Sequence, residues 1–395
     1  MSTSRQTARP AGNGKRFSKR DRVMDAITRG IVEGDYPPGT QLPLRAELGE
    51  RLGVTTVTLQ QAFDQLKADG FVVTRGRWGT FVADAPPCFH RIALAFPGRP
   101  SDPARWSLFW HALTEAAARL EHAQDIRLAF YHDVEAPPES EGASALLADM
   151  QARRVGGVIF AQPPYAFIGT ELLADDGLPR VALMSEPNEH FPHVAAVYPD
   201  IDAFYERAAD HLAAEGRRRI ALVTLPRREG ADAAALRTAL GRHGLSLAPQ
   251  RVLTAPLETP QATGNLIRLL MSQPVDERPD GVIIADDHLS PYEASGFLAA
   301  GVRVPEEVGV VTFCNFPHRG GDILPVARFG YSAEAVLGAC LERFREFRAG
   351  RPVARKTRIL PITEEEWRET VRPHPAETYR DTPANDAVRH PGEAG

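Results

Sequence analysis

Two groups of side chains in this sequence are of types that recognise other molecules, and neither is a catalytic set. The first lies between residues 45 and 77. Arg45, Thr55, Thr56, Thr58, Gln60 and Gln61 fall on or beside two short helical stretches, and Arg75, Gly76 and Arg77 on a tip between two short strands. Carboxamides at helical spacing suit base edges, adenine best, because an amide can both donate and accept there. Guanidinium groups suit phosphates. The second is the aromatic pair Trp106 and Trp110, which opens the first helix expected beyond residue 90. Aromatic faces with a few oriented polar groups suit a small polar ligand, a sugar ring above all. Trp106, Phe109 and Trp110, at i, i+3 and i+4, have core packing as an equal alternative.

Other chemistries lack their residues. Cys88, Cys314 and Cys340 are too widely separated for a zinc site or a disulfide framework. His132-Asp133 and Asp286-Asp287-His288 contain metal-ligand types, but no spacing ties them together, and capping or loop roles fit them better. There is no phosphate loop and no nucleophile elbow, and Asp286-Asp287 are the only paired carboxylates on a shared element that stand out. No enzyme, cofactor or metal centre is therefore expected. No apolar run approaches the roughly 20 residues of a membrane span. The polar N-terminus lacks a signal-peptide core, so a cytoplasmic protein with no membrane partner is expected.

The 395 residues allow two or three domains. The net charge of −5 is unevenly placed: residues 1–85 hold 13 Lys/Arg against 9 Asp/Glu, and the remainder is acidic. A small basic module ahead of a large acidic one fits polyanion binding confined to the front.

The elements that position the first group follow from punctuation. Ser18 is a candidate N-cap for a helix with Val23, Met24, Ile27 and Ile31 on one face, closed by Gly34. Asp35-Tyr36-Pro37-Pro38-Gly39 is a rigid turn. A second helix spans Arg45 to Leu52, with Leu48 and Leu52 inward and Gly53 closing it. Thr55 or Thr56 caps a third, Val57 to Asp69, with Leu59, Ala62, Phe63 and Leu66 inward and Gly70 as its stop. Phe71–Thr74 and Gly79–Val82 then read as strands around the tip Arg75-Gly76-Arg77-Trp78.

This order is that of a winged helix-turn-helix. Pro38-Gly39, Leu42-Pro43, Leu48, Gly53-Val54-Thr55, Thr58-Leu59, Ala62, Leu66, Gly70-Phe71, Gly76 and Gly79-Thr80-Phe81-Val82 resemble, in register, the DNA-binding domain of GntR-type bacterial regulators. The resemblance covers about residues 18–83. It implies that Arg45, Thr55, Thr56, Thr58, Gln60, Gln61, Arg75, Gly76 and Arg77 meet double-stranded DNA. Ala46, Thr56 and Gln60 stand where the family usually has arginine, which implies fewer phosphate anchors and a different operator sequence.

Ala83-Asp84-Ala85-Pro86-Pro87 reads as a short semi-rigid linker. From Arg91 apolar strands alternate with amphipathic helices, as in parallel sheets covered on both faces. Helices are expected at Ala104–Glu121 and Phe167–Asp175 among others, and two sub-sheets at about 90–197 and 198–324, with a ligand cleft between them.

Residues 210–223, 279–287 and 300–313 resemble LacI-type regulators, related to periplasmic sugar-binding proteins. That resemblance implies a sensor, with Asp287 and Asn315 as effector contacts. Cys314 stands where an acid or amide is usual, and a thiol is a poor partner for a sugar hydroxyl. A family arginine falls by count on Asp232, with Arg227 and Arg228 close by. Head and sensor together resemble arabinose-responsive repressors. The expected class is an α/β chain: a disordered arm at 1–17, a winged helix at 18–83, a linker at 84–89, a two-lobed sensor at 90–362 and a mostly disordered tail at 363–395. The expected function is a ligand-controlled repressor, a homodimer on a two-fold-related operator. The alternative is a receptor acting through protein contacts.

Overall fold

A computed structural model describes residues 18–102, 106–123, 126–135, 140–319 and 323–371. The expected arm, 1–17, and residues 372–395 of the tail lie outside the described residues.

The N-terminal head contains helices α1 (Lys19–Glu33), α2 (Arg45–Leu52) and α3 (Thr56–Ala68), then strands β1 (Val72–Thr74) and β2 (Thr80–Val82). Ser18 starts α1 with a reciprocal capping box: its hydroxyl accepts from the Asp21 N–H and its own N–H donates to the Asp21 carboxylate, both at 3.1 Å. Gly34 and Gly53 take the left-handed conformations that end α1 and α2. Thr55 caps α3 through the Thr58 N–H at 3.3 Å. Val23, Ile27, Leu48, Leu59, Phe63 and Leu66 meet in one apolar core.

The linker is more structured than expected. Helix α4 (Pro87–His90) occupies its end, and Cys88 is buried among the apolar side chains of the head. Burial pushes the Cys88 thiol up to about 12, so it is a packing group.

The chain then runs β3 (Arg91–Ala95), α5 (Leu108–Ala123), β4 (Arg127–Tyr131), α6 (Glu141–Gln151), β5 (Val158–Phe160), β6 (Arg180–Leu183) and β7 (Val194–Pro199). It continues through α7 (Ile201–Ala214), β8 (Ile220–Thr224), α8 (Glu229–Gly241), β9 (Val252–Thr254), α9 (Ala262–Met271), β10 (Gly281–Ile284), α10 (Glu293–Ala299), β11 (Gly309–Phe316) and β12 (Ala327–Ser332). It closes with α11 (Ala333–Arg348), β13 (Lys356–Ile359), β14 (Ile362–Thr363) and α12 (Glu364–Val371).

Two six-stranded sheets result, ordered β13-β7-β6-β5-β3-β4 and β14-β12-β11-β10-β8-β9. All pairings are parallel except β12 with β14. Each sheet carries an apolar cluster on both faces, which explains its continuous Val/Ile/Leu runs.

The division into lobes departs from the expected 90–197 and 198–324. The chain passes from one lobe to the other after β7, after β12 and after β13, so α11 and β13 belong to the first lobe. Strand β12 was not expected at all. Helix α5 begins at Leu108, with Trp106 ahead of it, and Ala104 lies outside the described residues. The expected helix at 167–175 is two isolated turns, Tyr165–Phe167 and Glu171–Leu173, separated by Gly169 at φ +79°. The second lobe also continues past residue 362. Helix α12 is seated by Trp367, stacked on Phe316 at 5.2 Å, and by Glu364, which bridges Arg319 at 2.6 Å and Arg328 at 3.2 Å.

Candidate nucleic-acid interface and ligand cleft

In the head, α3 turns Leu59, Ala62, Phe63 and Leu66 into the core and leaves its opposite face to solvent. Thr55, Thr56, Gln60 and Gln61 are exposed, while Thr58 and Arg45 are half-buried. These side chains are organised by one another. Arg45 donates to Gln60, and its guanidinium lies 4.9 Å from the Phe63 ring centroid. The Gln60 amide in turn donates to Asp64 at 2.7 Å. The Thr55 and Thr58 hydroxyls are 3.0 Å apart. On the wing, Arg75 lies over the Phe81 ring at 4.7 Å and pairs with Asp84 at 3.5 Å. Gly76 and Arg77 stand exposed at the tip. Two large apolar side chains outside the expected contact set are exposed as well: Val57, 67% exposed beside Gln60 on α3, and Trp78, 67% exposed at the wing tip where the sequence placed it.

Between the lobes lies a cleft of about 820 Å³. It sits outside the carboxyl ends of the strands, where open α/β sheets bind ligands. Of the five expected effector residues, Trp106, Trp110 and Arg227 line it. Trp106 is only 3% exposed, and its Nε1 has no acceptor among the described residues. Trp110 Nε1 donates to the Ala161 carbonyl at 3.2 Å.

Asp287 and Asn315 are not on the cleft surface. They are buried and bonded to each other, Asn315 Nδ2 to Asp287 Oδ2 at 2.7 Å. Their neighbour His288 takes the cleft position instead. His288 Nδ1 lies 2.9 Å from Asp286 and 3.2 Å from Asp287. Burial alone would disfavour its charge, but the hydrogen bonds and charges of the two carboxylates prevail and push it up to about 10. With Nδ1 committed to the aspartates, Nε2–H is the donor His288 can offer a ligand.

The donor atoms of Asp286, Asp287 and His288 lie within 4.8 Å of one another. A protonated imidazole has no lone pair for a metal, so the cluster is an ion-pair network in this state. Cys314 is buried in β11 with its thiol near the Thr312 and Arg319 carbonyls, both at 3.8 Å, and does not line the cleft. Asp232 is 1% exposed and pairs with Arg228 at 3.0 Å, which leaves Arg227 to the cleft.

The cleft residues that the sequence did not reveal are Glu135, Gln162, Glu258 and His288. Each follows a strand end, and that position is the one signal the sequence held. The cleft thus offers the partly exposed Trp110 indole with Trp106 packed behind it, cationic donors and carboxylate acceptors, a set suited to a polyhydroxylated molecule.

The head and the first lobe are in direct contact. Arg153 pairs with Asp25 of α1, and Arg154 lies 3.8 Å from Asp69 at the end of α3. Arg153 takes a left-handed conformation, φ 54°, that only a few per cent of non-glycine residues adopt. Both arginines directly follow α6. The opposite end of α6 is fixed to the cleft. Ser140 accepts from the Ala143 N–H at 3.0 Å and the Glu135 N–H at 3.2 Å. A Cβ on Gly142 would lie 1.9 Å from the His132 carbonyl.

Residues 19–82 match the family described as bacterial regulatory proteins, gntR family. Residues 209–370 match the periplasmic binding protein-like domain. The HTH-type transcriptional regulator TauR of Rhodobacter capsulatus is 37% identical over 78 residues, 20% of this chain and 16% of that protein. The HTH-type transcriptional regulator Rv1152 of Mycobacterium tuberculosis is 36% identical over 75 residues, 19% of this chain and 62% of that protein. The matched segments therefore span less than two thirds of either relative. Among solved structures, the Escherichia coli transcriptional repressor ascG superposes with a TM-score of 0.55 at 14% identity, over 69% of this chain and 97% of that one. A LacI family transcriptional regulator from Lactobacillus casei with bound glucose gives 0.51 at 20% identity, over 69% and 98%. At such identities the likeness is one of fold. Among the described residues no helix is long and apolar enough to cross a membrane. The chain thus carries a gntR-family helix-turn-helix DNA-binding domain in front of a periplasmic-binding-protein-like domain with the fold of LacI-family regulators.

Proposed function

We propose that this chain is a cytoplasmic, ligand-responsive transcription repressor and not an enzyme. As a homodimer it holds a two-fold-related operator, with Arg45, Thr55, Thr56, Thr58, Gln60, Gln61, Arg75, Gly76 and Arg77 forming the DNA contact. A sugar or related metabolite binds between the lobes against Trp106, Trp110, Arg227 and His288, with Asp287 and Asn315 setting the His288 ring from behind. The observation that carries this reading is helix α6, which joins the cleft loop 132–135 at one end to the head's Asp25 and Asp69 at the other. At 11 residues it is a rod of about 16 Å. A ligand that displaces the loop shifts that rod, and the head's balance changes by the ligand's differential affinity for the two arrangements.

A second reading, a receptor working through protein contacts, is favoured by the scarcity of free cations on α3, where Gln60 is tied between Arg45 and Asp64. A mobility-shift assay on the DNA upstream of this chain's gene separates the two. The full chain is expected to retain the DNA and a chain lacking residues 1–85 is not. Retention persisting without the head overturns the proposal.

A further inference from the structure

The head exposes three large apolar side chains by more than half: Leu44 at 63%, Val57 at 67% and Trp78 at 67%. Trp78 is the largest, and its backbone is held with unusual care for a loop tip. Residues Gly76–Trp78 form a single tight turn, closed by Trp78 N–H to the Arg75 carbonyl at 3.0 Å and Arg75 N–H to the Gly79 carbonyl at 2.9 Å. Gln41 reaches across from the segment before α2 and donates to the Trp78 carbonyl at 2.8 Å. Gly79 sits at φ +103°, and a Cβ there would meet the same Gln41 amide at 2.9 Å. The indole is thus presented on a rigid mount, with the Arg77 guanidinium 5.5 Å from its ring. A preorganised aromatic group loses little conformational freedom when it is covered, which is the property of a contact residue.

We infer that Trp78 is a minor-groove wedge. With α3 in the major groove, the wing tip carries the indole into the adjacent minor groove of duplex DNA. There it packs along the sugar walls and opens a base step, while Arg75 and Arg77 meet the flanking phosphates. Gln41 fixes the wing tip to the segment that leads into α2, so the tip is held against the body of the head. Its charge also matches a polyanion. Such a wedge reads deformability, so it favours pyrimidine–purine steps at positions α3 never touches. This assignment rests on the DNA-binding reading above.

The test uses the full chain and the DNA fragment upstream of its gene, with affinity measured by anisotropy. Trp78→Ala is expected to weaken binding by about tenfold or more, as loss of a stacked aromatic does, and Trp78→Phe by clearly less. The emission that distinguishes the wild type from Trp78→Phe is expected to change on adding DNA. Replacing a flanking flexible step by a stiff A-tract should weaken the wild type but not Trp78→Ala. If the wild type binds with salt-dependent affinity while Trp78→Ala binds equally and the emission is unchanged, the wedge is wrong and the regulator reading stands. If the wild type does not bind at all, the regulator reading fails and takes the wedge with it.

Discussion

On the head, Gln60 is exposed and held by Arg45 and Asp64; in the second lobe, Asp287 is 7% exposed and held by His288 and Asn315. The two regions use polar groups in opposite ways. The α3 face keeps its amides and hydroxyls in water, at little cost, until a polar partner replaces that water. Behind the cleft, Asp286 and Asp287 are largely desolvated in advance and orient one imidazole. A surface of the first kind suits a long polymer bound through many weak contacts. A cavity of the second kind suits a small molecule met by a few fixed groups.

This contrast can be broken most severely through the head's core. Leu66 is fully buried in the head's own apolar cluster, separate from the four clusters of the lobes. Leu66→Ala should cost about 2–5 kcal/mol, unfold the head and abolish DNA retention. In calorimetry, the transition of the two-lobed domain should stay in place.

Gly142→Ala attacks the other region. The added methyl would press on the His132 carbonyl, and overpacking of this kind costs about 1–3 kcal/mol. It should lower the melting temperature of the two-lobed domain. It should also raise amide exchange around Asp25 and Asp69, because α6 joins the two places. Unchanged exchange in the head would show that α6 transmits nothing.

A pH titration gives a smaller, graded effect. His288 is raised from 6.5 to about 10, so its stabilising contribution is complete below about pH 6.5 and is lost as pH rises through 10. Burial raises Glu293 from 4.5 to about 7, and its favourable neutral form is lost as pH rises through 7. The melting temperature of the two-lobed domain should therefore fall from pH 5 to pH 10. Glu293→Gln should remove the part of the fall between about pH 4.5 and 7, and a flat profile would contradict both assignments.

The smallest expected effect is at the junction. Arg153 and Arg154 are partly exposed, so Arg153→Ala with Arg154→Ala should change global stability by no more than about 1 kcal/mol per pair. Small-angle scattering should nonetheless show a freer head.

How much of this was legible follows the same contrast. The head is written locally: Ser18, Gly34, Gly53, Thr55 and Gly70 mark its element ends, and each acts on residues within one turn. The two-lobed domain is written at long range. Strand β12 escaped notice because Arg328 and Gly330 interrupt its apolar pattern. Gly330 is there because a Cβ would lie 1.7 Å from the Cys314 carbonyl, a contact between strands that no local window contains. The cleft unites Trp106, Gln162, Arg227 and His288 from distant strand ends. Asp287 was placed correctly after its strand. That its side chain turns inward to Asn315, leaving His288 to face the ligand, depends on a partner 28 residues away.

On the proposed reading the head holds DNA through charge and hydrogen bonds. The most direct measurement of this is the affinity of the full chain for the DNA upstream of its gene across a series of salt concentrations. Cations that displace counterions from phosphates give a straight, falling plot of log K against log salt, with a slope of about −0.9 per phosphate neutralised. A slope equivalent to several phosphates is the predicted result; no measurable retention at low salt, or an affinity indifferent to salt, would contradict it.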